Sequence, residues 1–163
     1  MRYPVDFKKK FDENLLFWLE KFVKSKLTSL SNRHVQKNSE LSLIIAALNR
    51  GTKDIEELQN LAKKARNIGL IGINTYFNPL EKLFHYLCFM SLRSLKEVDE
   101  ELLSEFLASQ TASLSDATKK NYRIAIVSFF AFIDKQNEDK KGSSYQFRIE
   151  LKNWGGLKSN NAN

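Results

Sequence analysis

Apolar residues along this chain recur at the spacing of an α-helix, and one apolar pattern occurs twice. Positions i, i+4, i+7, i+8 and i+11 lie on one side of a helix, so each copy predicts a helix with a continuous apolar face. The offset between the copies is constant at 122 − 76 = 46 residues. The two copies are Tyr76, Leu80, Leu83, Phe84 and Leu87, and then Tyr122, Ile126, Phe129, Phe130 and Ile133.

The remaining apolar positions predict further helices, which two prolines and six glycines interrupt only rarely. Asp12, Asp54, Asp99 and Ser115 are expected to cap the first, third, fifth and sixth helices, and Glu57 completes a capping box with Asp54. Pro79 is expected to lie inside a kinked or strained helix, because the apolar face crosses it. The predicted helices cover 13–28, 39–49, 54 to shortly before 69, 74–90, 99–109 and 115–136, with a loop over 29–38.

The first helix has two chemically different faces. Leu15 and Phe22 belong to the apolar face and are expected to enter the core. Glu20, Lys21 and Lys24 lie on the other side and are expected to form a solvated face. The pattern therefore predicts an amphipathic helix that packs against the rest of the chain.

After the last helix the pattern changes from helical to alternating. Residues 137–144 are polar and predict a loop. Tyr145, Phe147, Ile149 and Leu151 alternate with polar residues, which is the pattern of a strand with one buried side. Residues 155–163 are rich in Gly, Ser and Asn and have the composition of a linker. The sequence as a whole predicts an all-α fold with a short extended segment near 145–151.

Composition narrows the possible partners. The 163 residues include 26 Lys and Arg against 19 Asp and Glu, a formal net charge of +7, which favours a polyanion such as nucleic acid. The single cysteine, Cys88, excludes an internal disulfide and fits a reducing cytoplasm. No apolar run has the length of a membrane span, so we expect a cytoplasmic protein without a membrane partner.

Small polar and basic residues cluster in the N-terminal turns of the two repeated helices and near the end of the helix before them. A helix N-terminus presents N–H groups to an anion, and Lys, Ser and Thr side chains can add phosphate contacts. Lys120 and Arg123 are expected to point outward, and Asn121 or Arg123 can reach base edges. The solvated surface of an ordinary helical core is the competing interpretation. The candidate DNA-contacting residues are Lys63, Lys64, Arg66, Asn74, Thr75, Asn78, Lys82, Ser115, Thr118, Lys119, Lys120, Asn121 and Arg123.

The sequence around the last helix resembles the core-binding domain of tyrosine site-specific recombinases, the phage integrase family. The residues that carry this resemblance are the run 114–123, followed by Ile126, Phe129, Phe130, Phe132 and Ile133. Residues 72–76 with 84–87 are similar to another helix of that domain, and 99–107 to its short intervening helix. The N-terminal helices and the segment 147–154 are most similar to the single-recombinase Xer type, which resolves chromosome dimers.

The resemblance implies a compact orthogonal helical bundle of the SAM-like kind that clamps a duplex recombination half-site. It implies an N-terminal helical extension over 1–53, the core-binding domain over 54–137, and a tail over 138–163 that leads to a catalytic domain absent from this chain. The implied partners are double-stranded DNA, other recombinase protomers on that DNA, and a septum-associated DNA translocase acting on the full-length protein.

The resemblance also bears on catalysis. The family cleaves DNA with a tyrosine nucleophile, two arginines, a lysine and a His-x-x-Arg element. His34 is followed three residues later by Lys37, and His85 by Cys88, so neither histidine supplies that element. No catalytic residue, metal ligand set or cofactor is therefore expected in these residues, and a parent protein would cleave and rejoin DNA elsewhere. A helical protein–protein adaptor that binds no DNA is the alternative function.

Overall fold

The computed structural model describes residues 9–34, 39–138 and 145–152, and helices are the regular secondary structure of this part of the chain. No β-strand occurs among these residues, which confirms the predicted all-α class. The helices are α1 (Phe11–His34), α2 (Ser39–Arg50), α3 (Ile55–Asn67), α4 (Ile73–Phe89), α5 (Glu100–Gln110) and α6 (Asp116–Glu138), with a 3₁₀-helix (Leu95–Glu97) before α5.

Two of the predicted helix caps are present. The Glu57 N–H donates to Asp54 Oδ1 over 2.9 Å, and the Lys53 N–H donates to Glu57 Oε1 over 2.8 Å. At α5, the Leu102 N–H donates to Asp99 Oδ1 over 2.9 Å. Each carboxylate satisfies a backbone donor that the helix itself cannot pair, so these caps fix where α3 and α5 begin.

The limits predicted for the first helix are wrong at both ends. The helix begins at Phe11, so Asp12 lies in its first turn, and the Lys10 N–H donates to Glu13 Oε1 over 2.9 Å. It continues to His34, which removes 29–34 from the predicted loop, while 35–38 lie outside the described residues. The polar residues of 29–34 include no proline or glycine, and a polar composition by itself does not end a helix.

α4 passes through Pro79, as predicted, and Pro79 is buried. The helix begins at Ile73, one residue before the predicted start. Gly72 precedes it where α1 approaches closely, because a Cβ atom on Gly72 would lie 3.3 Å from Leu30 Cδ2. A larger residue at 72 would have to displace the Leu30 side chain.

The second half of α6 is buried in the bundle. Phe129 and Phe130 are fully buried, and their ring centroids lie 5.1 Å apart. Phe22 of α1 packs against α6, with its centroid 5.5 Å from that of Phe129 and 5.6 Å from that of Phe132. Buried residues of α1 and α2 belong to the same apolar cluster as those of α3–α6.

The division of the chain into 1–53, 54–137 and 138–163 stays a prediction.

Glu20 does not belong to a solvated face of α1, contrary to the prediction. Its side chain is 7% exposed. The carboxylate accepts hydrogen bonds from the Thr52 N–H over 2.6 Å and from the Thr52 hydroxyl. Gly51 turns the chain there with a φ of 96°, a conformation that glycine adopts without a steric penalty. A buried carboxylate is thus used to fasten the α2–α3 connection to α1.

Residues 145–152 run across α5 and α6 without forming a strand. The predicted alternation is present, because Phe147, Ile149 and Leu151 are buried while Arg148 and Glu150 are exposed. The segment forms no strand ladder, because Arg148 and Leu151 each have a φ of 54°, which is far from the values of a strand. The predicted loop residues 139–144 and the predicted linker residues 155–163 lie outside the described residues.

Candidate nucleic-acid interface

Four polar residues form one exposed strip along α4, which we call the outer α4 stripe. It consists of Thr75, Asn78, Lys82 and His85, all exposed. Their spacing of i, i+3, i+7 and i+10 places them on one side of the helix over about 15 Å of its length. The strip therefore offers polar and basic groups over a length of roughly four phosphate steps along the axis of one duplex strand.

The outer α4 stripe meets α6 at Lys82. The ammonium nitrogen of Lys82 lies 5.9 Å from the centroid of the Tyr122 ring. Tyr122 is itself buried, so the contact joins a surface lysine to a ring fixed in the core. Lys119 is half-buried in the same first turns of α6, and Lys120 is exposed. Lys119, three residues before Tyr122, therefore lies on the same side of α6 as that ring, whereas Lys120, two residues before it, lies on the opposite side.

The N-terminal turns of α4 and α6 do not lie side by side. Tyr76, near the start of α4, lies 6.0 Å from Phe22 between ring centroids, and Phe22 lies 5.5 Å from Phe129 in the middle of α6. Lys82, later in α4, contacts Tyr122 near the start of α6. The two helices therefore run in opposite senses.

A second group of basic residues surrounds the start of α4. Lys63, Lys64 and Arg66 are all exposed in the last turns of α3. Gln59 Nε2 donates to Glu81 Oε1 over 3.3 Å, so α3 and α4 also run in opposite senses and the end of α3 approaches the start of α4. The outer α4 stripe connects this second group to the lysines beside Tyr122.

Lys26 of α1 joins the second group, and sequence reasoning missed it. Its ammonium nitrogen lies 4.4 Å from the centroid of the Tyr76 ring and 5.4 Å from that of Phe22. The available signal was its position four residues after Phe22, at the edge of the apolar face of α1. That position allows a lysine stem to cover the ring while the charged end reaches solvent.

The N-terminal amides of α4 are used within the protein. The Asn74 N–H donates to Ile71 O over 3.3 Å, and the Thr75 N–H donates to Gly72 O over 3.2 Å. Asn74 is half-buried, while Thr75 is exposed. The expected supply of unpaired N–H groups for an anion is therefore reduced at this helix, and side chains are left as the main donors.

Ser115 caps the N-terminus of α6 through hydrogen bonds with Thr118. Ser115 Oγ accepts from the Thr118 N–H over 3.2 Å, and the Ser115 hydroxyl donates to Thr118 Oγ1 over 3.0 Å. Ser115 is exposed at the surface, as is Asn121 six residues later. The predicted cap at Ser115 is confirmed, and both hydroxyls lie beside the lysines of this end of α6.

The prediction that Arg123 points outward and can reach base edges is wrong for the unbound protein, because its side chain is hydrogen-bonded to the backbone of residues 150–151. The guanidinium donates from Nε to Leu151 O over 2.7 Å and from Nη2 to Glu150 O over 3.1 Å. Two parallel bonds from one guanidinium to consecutive carbonyls hold a peptide in a fixed direction. Arg123 therefore has a structural role in the unbound protein.

Glu81 lies on α4 beside α3, in partly desolvated surroundings. Burial raises the pKa of this carboxyl, the nearby His85 lowers it by a smaller amount, and Glu56 raises it again. The folded protein therefore binds this proton more tightly than the unfolded chain does. The group favours folding at low pH, and this contribution disappears as the pH rises through the folded-state pKa.

Cys88 should react slowly with alkylating agents. Burial raises the pKa of its thiol to about 11, with Asp12 adding to the shift. At about pH 8 the reactive thiolate then amounts to roughly 0.1% of the thiol, so iodoacetamide should label native protein about 100-fold more slowly than unfolded protein. Mass spectrometry should show a native labelling rate that still rises at about pH 10, and a plateau near pH 9 would contradict this prediction.

The described residues contain neither a cluster of metal ligands nor a membrane-spanning helix. Within 9–34, 39–138 and 145–152, no three His, Cys, Asp or Glu side chains come together as a metal site would require. None of the helices described above is both long and apolar enough to cross a membrane.

The chain matches a known protein family over most of its length. A family model for the phage integrase SAM-like domain matches residues 6–137. The chain is 55% identical over 157 residues to the tyrosine recombinase XerH of Campylobacter jejuni, covering 96% of this chain and 44% of the relative. It is 42% identical over 170 residues to XerH of Helicobacter pylori, covering 100% of this chain and 47% of the relative. The chain thus spans less than half the length of these relatives.

Two solved structures share the fold. One is the XerH site-specific recombinase bound to difH substrate in a pre-cleavage complex, with a TM-score of 0.83 and 44% identity over 94% of this chain and 46% of that chain. The other is XerH bound to palindromic difH substrate in a post-cleavage complex, with a TM-score of 0.87 and 44% identity over 99% of this chain and 45% of that chain.

Proposed function

We propose that this chain, which belongs to the phage integrase SAM-like domain family, is the part of a tyrosine recombinase that grips duplex DNA. Two similar recombinases have been solved on their DNA substrates, which supports a duplex as the ligand. We assign strand cleavage and rejoining to the full-length recombinase. That chemistry lies outside these 163 residues, because neither histidine of the chain begins a His-x-x-Arg element.

The observation that carries the proposal is the contact between Lys82 and Tyr122. It brings the outer α4 stripe beside the first turns of α6, so that Lys82 and Lys119 face one ligand, while the exposed Lys120 extends the basic surface around the start of α6. Lysines that neutralise phosphates release counterions, which makes binding tight at low salt and sensitive to added salt. Asn78 and Asn121 are exposed beside these lysines and are suited to base edges.

The proposed contacts divide into two groups along the surface. The group at the start of α6 supplies phosphate contacts from lysines and hydroxyls, and the group at the junction of α3 and α4 extends the footprint along the duplex. We leave Arg123 out of both, because its guanidinium is bound to backbone carbonyls. The first group is Lys82, Ser115, Thr118, Lys119, Lys120 and Asn121, and the second is Lys26, Lys63, Lys64, Arg66, Asn74, Thr75 and Asn78.

The biological setting follows from the same proposal. The full-length protein would act in the cytoplasm on a recombination site, with further protomers bound to the same DNA. Its similarity to XerH favours the single-recombinase Xer role of resolving chromosome dimers, with a septum-associated DNA translocase as the activating partner. These partners would bind the full-length recombinase.

A salt titration with two matched lysine variants tests the proposal. Lys120→Ala removes a charge from the first turns of α6, and Lys135→Ala removes the same charge from its last turn. If Lys120 contacts a phosphate, the slope of log K against log salt should become shallower by about one unit in Lys120→Ala and stay unchanged in Lys135→Ala. Fluorescence anisotropy with a labelled duplex measures both slopes.

The same titration addresses the adaptor alternative, which the comparisons do not favour. A helical protein–protein adaptor would show no duplex binding at low salt in the wild-type chain. Equal slopes for the wild type and for a Lys82→Ala/Lys120→Ala double variant would remove the surface around Lys82 from the DNA interface. Circular dichroism on each variant confirms that the helices remain folded.

A further inference from the structure

Residues 145–152, which we call the docked segment, are held by side chains instead of a neighbouring strand. The amide N–H groups of Phe147 and Arg148 both donate to Asp134, over 2.7 Å to Oδ1 and 2.9 Å to Oδ2. The amides of Glu150 and Leu151 both donate to Glu100, with Leu151 N lying 3.1 Å from Oε1. Each carboxylate thus receives two consecutive backbone donors.

The backbone of the docked segment is shaped for these two carboxylates. Each pair of donating amides ends in a residue with left-handed backbone, Arg148 and Leu151, both with a φ of 54°. Consecutive N–H groups ending in such a residue form a concave nest that binds an anion. Left-handed backbone is unfavourable for residues other than glycine, so the carboxylates stabilise a conformation that the segment alone would seldom adopt.

The carbonyl side of the docked segment is bound as well. Arg123 donates to the carbonyls of Glu150 and Leu151, so the second nest is held from both sides. The Asn137 amide donates to the Tyr145 carbonyl, and the Tyr145 hydroxyl donates to Lys96 O over 3.0 Å. These bonds reach α6 and the 3₁₀-helix and secure the other end of the segment.

We propose that Glu100, Arg123 and Asp134 form a clamp that fixes the direction in which the chain leaves the helical domain. This inference rests on the proposed function, in which a catalytic domain follows the docked segment and grips the same duplex. The three residues are positioning residues: they bind backbone, so they set the path of the chain, and they touch no reacting atom. If the path of the chain is already fixed, less conformational entropy is lost when both domains bind the same DNA.

The backbone of Arg148 offers a test that leaves all three clamp residues in place. Arg148→Val and Arg148→Gly both remove the same exposed side chain, but only valine opposes a φ of 54°. Amide exchange of 147–151, followed by NMR in the 163-residue chain, should be about tenfold faster in Arg148→Val and unchanged or slower in Arg148→Gly.

The clamp carboxylates have a matched control in the same helix turn. Glu100→Gln places an amide donor beside the N–H groups of Glu150 and Leu151, and should speed their exchange by about tenfold or more. Glu101→Gln removes the same charge from an exposed neighbour and should leave that exchange unchanged. Equal exchange in Glu100→Gln and the wild type would overturn the clamp.

Cleavage by the full-length recombinase tests the positioning role. On a duplex with a nick beside the cleavage position, Glu100→Gln and Arg148→Val should lower the rate of covalent adduct formation about tenfold. The same substitutions in the 163-residue chain should leave its duplex affinity and salt slope unchanged. Faster exchange with an unchanged cleavage rate would overturn the positioning role.

Failure of the proposed function is distinguishable from failure of the clamp. If the wild-type chain binds no duplex, the proposed function fails, while amide exchange still reports whether the segment is docked. If duplex affinity falls in Glu100→Gln as much as cleavage does, the clamp acts on DNA binding itself, and positioning of a second domain is overturned.

Discussion

Phe130→Ala should lower the free energy of unfolding by about 3–5 kcal/mol, a large share of the roughly 5–15 kcal/mol that stabilises a domain. The Phe130 side chain is fully buried in α6. Its ring centroid lies 5.1 Å from that of Phe129 and 4.9 Å from that of Phe147. The substitution therefore leaves a cavity between the centre of the bundle and the docked segment, and both aromatic pairs are lost.

Urea unfolding followed by circular dichroism measures this effect, and α6 supplies its own control. Ile124 lies on the same helix with 44% of its side chain exposed, so Ile124→Ala should change stability by no more than about 0.5 kcal/mol. Tyr122→Ala should also cost about 3–5 kcal/mol, because that ring is buried. A Phe130→Ala variant as stable as Ile124→Ala would show that the centre of the core lies elsewhere.

Features that depend on a few neighbouring residues could be predicted from the sequence. The Asp54–Glu57 box is formed within four residues, and the apolar faces of α4 and α6 follow from helical spacing alone. The passage of α4 through Pro79 was predictable for the same reason, since the apolar face continues on both sides of it. In each case the information that determines the structure is contained in one or two helical turns.

Polar side chains with distant partners could not be predicted in this way. Glu20 is buried because Thr52, 32 residues later, supplies two donors, and Arg123 is bound because Leu151 lies 28 residues later. Both residues occupy positions that helical spacing assigns to solvent. The alternation in the docked segment likewise indicated which side chains are buried, but not that Glu100 and Asp134 would replace a strand partner.

The candidate interface was predictable residue by residue, but its arrangement was not. Composition and helix position correctly placed Lys82 and Lys120 on the surface. The relative sense of α4 and α6 depends on packing through Phe22, which no local pattern encodes. That packing moves the N-terminal turns of the two helices apart and brings the middle of α4 to the start of α6.

Removal of residues 1–53 should leave a chain that no longer unfolds cooperatively. α1 supplies Trp18, which is 1% exposed, and Phe22, which is 2% exposed, to the centre of the bundle. The Trp18 ring lies 6.3 Å from that of Phe132, and Phe22 contacts Tyr76, Phe129 and Phe132. Without α1, the inner faces of α4 and α6 would be exposed to water, at a cost of about 1.5–3 kcal/mol for each large apolar side chain uncovered.

Near-ultraviolet circular dichroism and urea titration of the 54–163 fragment measure the outcome. We expect helical signal without fixed aromatic packing, and dye binding to exposed apolar surface, as in a compact state without tertiary order. A chain lacking only residues 1–8 is the control and should keep its cooperative transition, because α1 begins at Phe11. A sharp transition in the 54–163 fragment would instead make α1 and α2 an appendage to an independent core, the division that the sequence predicts at residue 54.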